Sequence, residues 1–257
     1  MNFLFRFCQY IRHFLISGDE HSVHSPFLFY LYTTAIYTDK QFYAFSKIES
    51  FRSKALKDKS TIAVTDFGTG KNRKRLIAEI AAKSVTDSAK AQILFRLAWF
   101  IKAKTILELG TSLGFTTAYL ASANVQSTVI SLEGCPNLTD YASGLHKSLD
   151  ISNIKLCTGN IAQTLPSVLK TLRSIDLVFL DANHQYKSTL EYFDLVLPYM
   201  HEKSIMVFDD IYWSADMKKA WDTIIAREEI TISINLFHFG IVFFRKNAPK
   251  QHFNLKS

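Results

Sequence analysis

The sequence lacks several features that mark common special classes of protein. No run of about 18 apolar residues occurs, so no segment has the length and composition of a membrane-spanning helix. The three cysteines, Cys8, Cys135 and Cys157, show neither the spacing of a disulfide framework nor that of a zinc site. Internal repeats and low-complexity tracts are also absent. We therefore expect a cytoplasmic protein without disulfide bonds.

What the sequence does contain is enough apolar material for a sizeable core. Its 257 residues are 48% hydrophobic and 21% charged, which fits one large α/β domain or a domain with an accessory segment. The net charge of +7 favours an anionic partner. The densest basic cluster is residues 71–75, Lys-Asn-Arg-Lys-Arg. The cluster is interpreted either as a solvated loop or helix start, or as a binding surface.

The first sixteen residues resemble a signal peptide only superficially, because Arg6, Arg12 and His13 interrupt the apolar run. Their apolar residues recur instead at the spacing of one helix face. We expect this amphipathic helix to dock onto the main body, with a membrane-surface helix as the alternative. The residues of the predicted stripe are Leu4, Phe7, Cys8, Ile11, Phe14 and Leu15.

Two regions differ in pattern. Residues 1–90 read as a helical N-terminal extension or lid, with a turn at residues 21–26 where Pro26 opens a new helix. This region also holds a glycine-bearing loop at residues 64–70, which lacks the spacing of a phosphate-binding loop. Residues 91–257 alternate regularly between short apolar runs and amphipathic segments. Such alternation predicts a parallel sheet with helices on both faces.

The end of the chain departs from this alternation. The β-rich runs at residues 230–237 and 241–245 are separated by a turn too short for a crossover helix, which requires an antiparallel hairpin. The predicted fold is thus a Rossmann-like α/β sheet of seven strands, mostly parallel, with a C-terminal antiparallel hairpin. The five parallel strands are predicted at residues 105–109, 128–132, 154–157, 176–180 and 204–208.

Candidate ligand-binding residues lie where the first three of these strands end. The segment from Ile106 to Gly114 delivers Glu108 on a strand and then two glycines, Gly110 and Gly114, that let a ligand approach the backbone. Glu133 ends the next strand and could accept hydrogen bonds from both hydroxyls of a ribose. Gly159 and Asn160 follow the third strand, where an amide could meet an adenine edge. The pattern predicts a site for a nucleoside that carries an amino-acid moiety.

Acidic residues follow the fourth and fifth strands, at Asp181 and at the pair Asp209 and Asp210. We expect the three carboxylates to lie at the same sheet edge, where oxygen ligands suit magnesium. The alternative is structural, with Asp181 capping the next helix and Asp209 bracing a loop. His184 is a candidate general base because its ordinary pKa suits proton removal near neutral pH. Tyr212 and Trp213 either line an acceptor pocket or pack the loop.

Residues 105–245 resemble the class I S-adenosylmethionine-dependent methyltransferases, most closely the small-molecule O-methyltransferases of the catechol and macrocin type. The resemblance rests on the glycine loop, Glu133, the Asp181 region and the hairpin. It implies S-adenosyl-L-methionine as cofactor, with Mg²⁺ at Asp181, Asp209 and Asp210 as an option, and His184 and Asp181 as catalytic residues. Catechol-type enzymes usually have Asp-Asn where this chain has Asp209-Asp210. The cofactor-binding residues would be Glu108, Gly110, Thr111, Ser112, Gly114, Glu133, Gly159, Asn160 and Asp181.

The expected function is methyl transfer to a hydroxyl of a small-molecule acceptor. Two alternatives stay open: methylation of RNA, tRNA or another nitrogen acceptor, and a catalytically silent binding module. The motif typical of enzymes that methylate flipped bases is missing after the fourth strand, and no RNA-binding module is recognisable. Nucleic acid is therefore not the expected partner, and a homodimer remains an option.

Overall fold

The structure is a computed structural model that describes residues 2–66, 71–246 and 248–257. Residues 67–70, which include both glycines of the predicted loop at 64–70, lie outside the described residues. The chain divides into two compact units, one formed by residues 39–170 and the other by residues 1–38 together with 171–257. The predicted domain boundary at residue 90 stays a prediction.

Ten α-helices occur in the described part of the chain, several of them with a side-chain cap. Asp87, Asn160 and Ser214 each accept a hydrogen bond from a backbone N–H in the first turn of α5, α8 and α10, which satisfies donors that the helix itself leaves unpaired. The helices are α1 (Asn2–Ile16), α2 (Pro26–Leu31), α3 (Tyr43–Ala55), α4 (Ile77–Lys83), α5 (Ser88–Phe100), α6 (Phe115–Ser122), α7 (Pro136–Ser148), α8 (Ile161–Leu169), α9 (Tyr186–Val196) and α10 (Ala215–Ala226).

The strands form a large sheet of eight strands and a separate antiparallel hairpin of two. The predicted fold class is confirmed, although the sequence predicts seven strands in the large sheet and the structure has eight. The strands are β1 (Thr61–Asp66), β2 (Lys71–Leu76), β3 (Thr105–Leu109), β4 (Thr128–Glu133), β5 (Ile154–Thr158), β6 (Leu177–Leu180), β7 (Ile205–Asp209), β8 (Ile232–Asn235), β9 (Phe239–Phe243) and β10 (Gln251–Asn254).

The unit of residues 39–170 carries β3, β4 and β5 as parallel neighbours in the order β3-β4-β5. Apolar residues such as Ile106, Leu107 and Leu132 are fully buried on these strands, as expected of parallel strands covered on both faces. The small hairpin β1-β2 belongs to the same unit. The basic cluster forms β2, with Asn72, Arg73 and Lys74 exposed, so the predicted loop or helix start at this position is wrong.

The unit formed by residues 1–38 and 171–257 carries the remaining five strands in the order β10-β8-β9-β7-β6. β6 and β7 are parallel, whereas β9 is antiparallel to both β7 and β8, which confirms the predicted hairpin. The eighth strand is β10, which pairs in parallel with β8. Its polar residues Gln251, His252 and Asn254 carry no apolar alternation, so only the tertiary pairing with β8 makes this segment a strand.

The helices before residue 39 belong to this same unit. Pro26 opens α2 as expected, and a five-residue π-helical segment, Tyr32–Ile36, continues it. The fully buried Tyr32 donates a hydrogen bond from its hydroxyl to the backbone oxygen of Lys256 at 3.0 Å, which ties this segment to the chain end. No helix among the described residues combines the length and hydrophobicity needed to cross a membrane.

Two glycines offer a matched test of the packing. A Cβ at Gly240 in β9 would lie 2.4 Å from the ring of Trp221, whereas nothing lies within 4 Å of a Cβ at Gly144 in α7. We expect Gly240→Ala to lower the free energy of unfolding by about 1–3 kcal/mol because the core is overpacked. Gly144→Ala should raise it by about 0.5–1 kcal/mol through helix propensity. Denaturant unfolding measures both, and equal effects would contradict this packing.

Candidate functional site

The loops after β3, β4 and β5 continue the hydrogen bonds of the sheet beyond the strands themselves. The N–H of Gly110 donates to the oxygen of Leu132 at 2.9 Å, and the N–H of Gly159 donates to the oxygen of Glu133 at 2.9 Å. The predicted residues Gly110, Glu133 and Gly159 therefore lie side by side at the carboxyl edge of this part of the sheet. Ligands of open α/β sheets bind outside this edge.

The turn after β3 depends on left-handed backbone conformations. The φ angles of Gly110, Ser112 and Gly114 are 102°, 50° and 83°, a region that glycine adopts without cost and other residues rarely adopt. A Cβ at Gly114 would approach the Cβ of Ala142 to 2.7 Å, so the position has no room for a side chain. The turn is thus closely packed, and α6 begins directly after it.

Glu133 holds this turn from the neighbouring strand. Its Oε2 accepts a hydrogen bond from the N–H of Ser112 at 2.8 Å, and its Oε1 accepts one from the N–H of Cys135 at 2.9 Å. Burial raises the pKa of the Glu133 carboxyl, and the backbone N–H groups around it oppose that effect. The carboxylate therefore binds together the loops after β3 and β4.

Glu108 has a different environment from the one that the sequence suggests. Its side chain is completely buried, and its Oε2 accepts hydrogen bonds from the hydroxyls of Thr117 and Ser131, each at 2.5 Å. The hydroxyl of Thr111 joins this network through Ser131 at 2.5 Å. In this arrangement the buried Glu108 supports the glycine turn through Ser131 and Thr111. Its predicted role as a cofactor-binding residue stays a prediction.

The other two predicted cofactor contacts in this unit also have structural roles. Ser112 donates from its hydroxyl to the oxygen of Ser84 at 3.0 Å, which fixes the turn to the segment before α5. The side-chain oxygen of Asn160 accepts from the N–H of Ala162 at 3.1 Å and so caps α8. Both residues nevertheless lie in the loops that border the carboxyl edge.

In the other unit, Asp181 and His184 form a pair directly after β6. The Nε2 of His184 lies 3.3 Å from Oδ1 of Asp181. The backbone between them is unusual, with φ angles of 63° at Asn183 and 26° at His184. The alternative that Asp181 caps the following helix is wrong, because α9 has Gln185 at its N-cap and no side-chain capping bond.

The surroundings of His184 set its charge. Burial alone lowers the pKa of the imidazole, but the hydrogen bond with Asp181 and the charges of three nearby carboxylates raise it to about 9. His184 is therefore mostly protonated at neutral pH and acts there as a donor. A role as general base needs the neutral ring and is restricted to alkaline conditions in this environment. The three carboxylates are Asp181, Asp209 and Asp210.

Asp209 and Asp210 end β7 and enter the next loop. Asp209 is buried, whereas Asp210 has a φ of 50° and forms an ion pair with Arg6 of α1, with Nη2 and Oδ1 3.8 Å apart. No group of three or more His, Cys, Asp or Glu side chains within the described residues is arranged to hold a metal ion. His184, with its raised pKa, and the Arg6 guanidinium supply positive charge beside these carboxylates, and the Mg²⁺ site at Asp181, Asp209 and Asp210 stays a prediction.

The two aromatic residues after Asp210 take separate roles. Tyr212 stacks on Phe237 with ring centres 5.2 Å apart and accepts a hydrogen bond from Asn235, so it packs the loop. Trp213 is 43% exposed and stands with its ring centre 6.3 Å from that of His184. It lines an open, largely apolar cavity of about 470 Å³ whose other walls are Phe3, Arg6, Phe7, Tyr10 and Phe237.

Sequence reasoning did not anticipate Arg6 as part of this region. Its guanidinium lies 4.9 Å from the centre of the Trp213 ring and also pairs with Asp210. In the sequence, Arg6 is only a polar interruption of an apolar helix. No local pattern connects residue 6 to residue 210, so the contact becomes visible only once α1 is placed against the loop after β7.

The charge of His184 is open to a direct test. The pKa of His184 is higher in the folded protein than in the unfolded chain. The pair of His184 and Asp181 therefore contributes its full stabilisation below about pH 6.5. That contribution is lost as the pH rises through about 9.

In Asp181→Asn we expect the pKa of His184 to fall toward its ordinary value of 6.5. An NMR titration of the histidine signals measures this, with the other histidines as internal controls. An unchanged His184 signal would refute the pairing.

Part of the chain is similar in sequence to known methyltransferases. Residues 107–211 match a family model described as a methyltransferase domain. A catechol O-methyltransferase from Mycobacterium tuberculosis is 28% identical over 145 residues, which are 53% of this chain and 64% of that protein. The chain thus spans slightly less than two thirds of that relative.

Solved structures agree on the fold. An O-methyltransferase from Bacillus cereus in complex with SAH is 14% identical, with a TM-score of 0.58 over 82% of this chain and 94% of that one. The O-methyltransferase TomG from Streptomyces achromogenes in complex with SAM is 17% identical, with a TM-score of 0.57 over 80% of this chain and 91% of that one. Residues 107–211 are accordingly similar to a methyltransferase domain, and the chain shares the fold of these solved O-methyltransferases.

Proposed function

We propose that this protein transfers a methyl group from S-adenosyl-L-methionine to a hydroxyl of a small-molecule acceptor. The observation that carries the proposal is the glycine turn after β3, clamped through Ser112 by Glu133 at the end of β4. A turn that has left-handed backbone at Gly110 and no room for a Cβ at Gly114 lets a nucleoside lie against the main chain. The matched methyltransferase domain covers this turn and Glu133.

Each predicted cofactor contact has a distinct part in this proposal. Glu133 would bind the two ribose hydroxyls, since a carboxylate offers four acceptor positions and can serve the loop and the sugar together. Gly159 and Asn160 would border the adenine. Glu108 would act indirectly, by bracing the turn from within the core through Thr117 and Ser131.

Methyl transfer requires that the acceptor be positioned and that one proton be removed from its hydroxyl. The sulfonium of the cofactor is already activated, so catalysis consists of holding an acceptor oxygen in line with the methyl group. We assign Asp181 and His184 to the acceptor proton: the neutral form of His184 accepts it, and Asp181 fixes the ring through the contact at 3.3 Å. The proposal assigns no step to a metal ion.

The cavity beside Trp213 suits the apolar body of an acceptor. Its walls are mainly aromatic, and Arg6 brings the Asp210 carboxylate to its edge. Aromatic walls with a few charged groups are typical of sites for small organic ligands. The similarity to a catechol O-methyltransferase points the same way. All three cysteines are free, in keeping with the cytoplasmic location that we propose.

Cofactor binding can be measured without knowledge of the acceptor. By isothermal titration calorimetry we expect S-adenosylmethionine and S-adenosylhomocysteine to bind the wild-type protein. Glu133→Gln should weaken both about 10- to 100-fold, the value of hydrogen bonds to a charged group. Asp140→Asn, which changes an exposed carboxylate on α7, is the matched control and should bind normally. No heat with either nucleoside would exclude the proposed activity.

Transfer itself is tested with labelled S-adenosylmethionine, using catechol and then a metabolite extract as acceptors. We expect label transfer that survives a chelator and rises with pH up to about 9, as His184 loses its proton. Asp181→Asn and His184→Gln should each lower the rate about 100-fold or more. Activity abolished by the chelator and restored by Mg²⁺ would instead establish a metal-dependent reaction.

A further inference from the structure

Helix α1 presents its apolar face to solvent. The helix docks on the body as the sequence predicts, but it does so with its other side. The stripe that faces solvent consists of Leu4, Phe7, Cys8, Ile11, Phe14 and Leu15. Leu4 is 68% exposed, Phe14 64% and Leu15 76%. Phe3, beside the stripe, is 83% exposed. At 100° per residue these side chains fall on one continuous side of the helix.

The opposite, polar side of α1 is the side that docks. His13 is buried and bonded to the backbone of Leu255. Arg6 reaches Asp210, and Tyr10 meets the ring of Phe237 edge-on at 5.2 Å. The apolar stripe is therefore not needed to hold α1 in place. Its exposure carries a cost in water that a partner would remove.

The charges on α1 indicate the kind of partner. The helix contains Arg6 and Arg12 and no acidic residue, in a chain with a net charge of +7. Trp213, exposed beside Arg6, adds a residue type that prefers the boundary between lipid and water. Aromatic and aliphatic side chains on one face with an exposed basic residue, here Arg12, at its border are the composition of helices that lie in the surface of a membrane.

We propose that α1 binds the protein to the surface of an anionic lipid bilayer, with the helix lying in the plane of the interface. Its 15 residues are too few to span the hydrocarbon layer. The stripe would enter the boundary region while the docked side keeps its contacts with Asp210 and Phe237. A second copy of the chain fits less well, since two α1 helices would bring arginines together without an acidic partner on either helix.

The test is flotation of the full-length protein with vesicles of phosphatidylcholine alone and of phosphatidylcholine mixed with phosphatidylglycerol. We expect the protein to float with the anionic vesicles, to bind neutral ones clearly less, and to detach as salt is raised. Arg12→Gln should weaken binding about fivefold, the value of one basic residue near such a surface. Phe14→Glu should weaken it at least about tenfold.

A matched control separates the stripe from exposed apolar residues in general. Val125→Glu changes a side chain that is 67% exposed and lies outside α1, and it should bind vesicles like the wild type. Unfolding temperatures verify that each variant is folded. Equal binding to neutral and anionic vesicles would overturn the proposal, as would binding to neither. So would a homodimer in light scattering that Phe14→Glu dissociates, because the stripe would then be a subunit interface.

Discussion

The conformation of the glycine turn after β3, the candidate cofactor site, depends on the hydrogen bond between Glu133 and the N–H of Ser112. A backbone held at a φ of 50° in Ser112 costs free energy and persists only where its surroundings enforce it. The carboxylate does this from the next strand, where the sheet register sets its position. Burial of Glu133 makes the bond more effective, because the surrounding medium is less polar than water. One side chain thus keeps the turn open for a ligand.

In the other unit, the need to balance charge constrains which side chains lie together. Asp181, Asp209 and Asp210 follow adjacent strands, and their repulsion has to be compensated. The sequence suggests a divalent metal for this purpose, and the structure places two further positive groups nearby, His184 with its raised pKa and the guanidinium of Arg6. Both solutions satisfy the same electrostatic requirement, so a list of acidic residues could not distinguish them.

Much of the fold is encoded locally and could be predicted. The strand Thr105–Leu109 is an uninterrupted apolar run around one acid, and its predicted bounds agree with the structure. β10 escaped prediction because Gln251–Asn254 becomes a strand only by pairing with β8. The docking of α1 is predicted, but the side with which it docks is not, for a related reason. A hydrophobic stripe normally faces the core, and nothing local reveals that Arg6 and His13 have buried partners elsewhere.

The cavity beside Trp213 and the exposed apolar stripe of α1 share residues. Phe3 and Phe7 line the cavity, and Phe7 also belongs to the stripe. A molecule that settles in the cavity therefore alters the energy of whatever the stripe touches. Thermodynamic linkage makes this influence equal in both directions. A compound occupying the cavity and a surface occupying the stripe would then each change the affinity of the other.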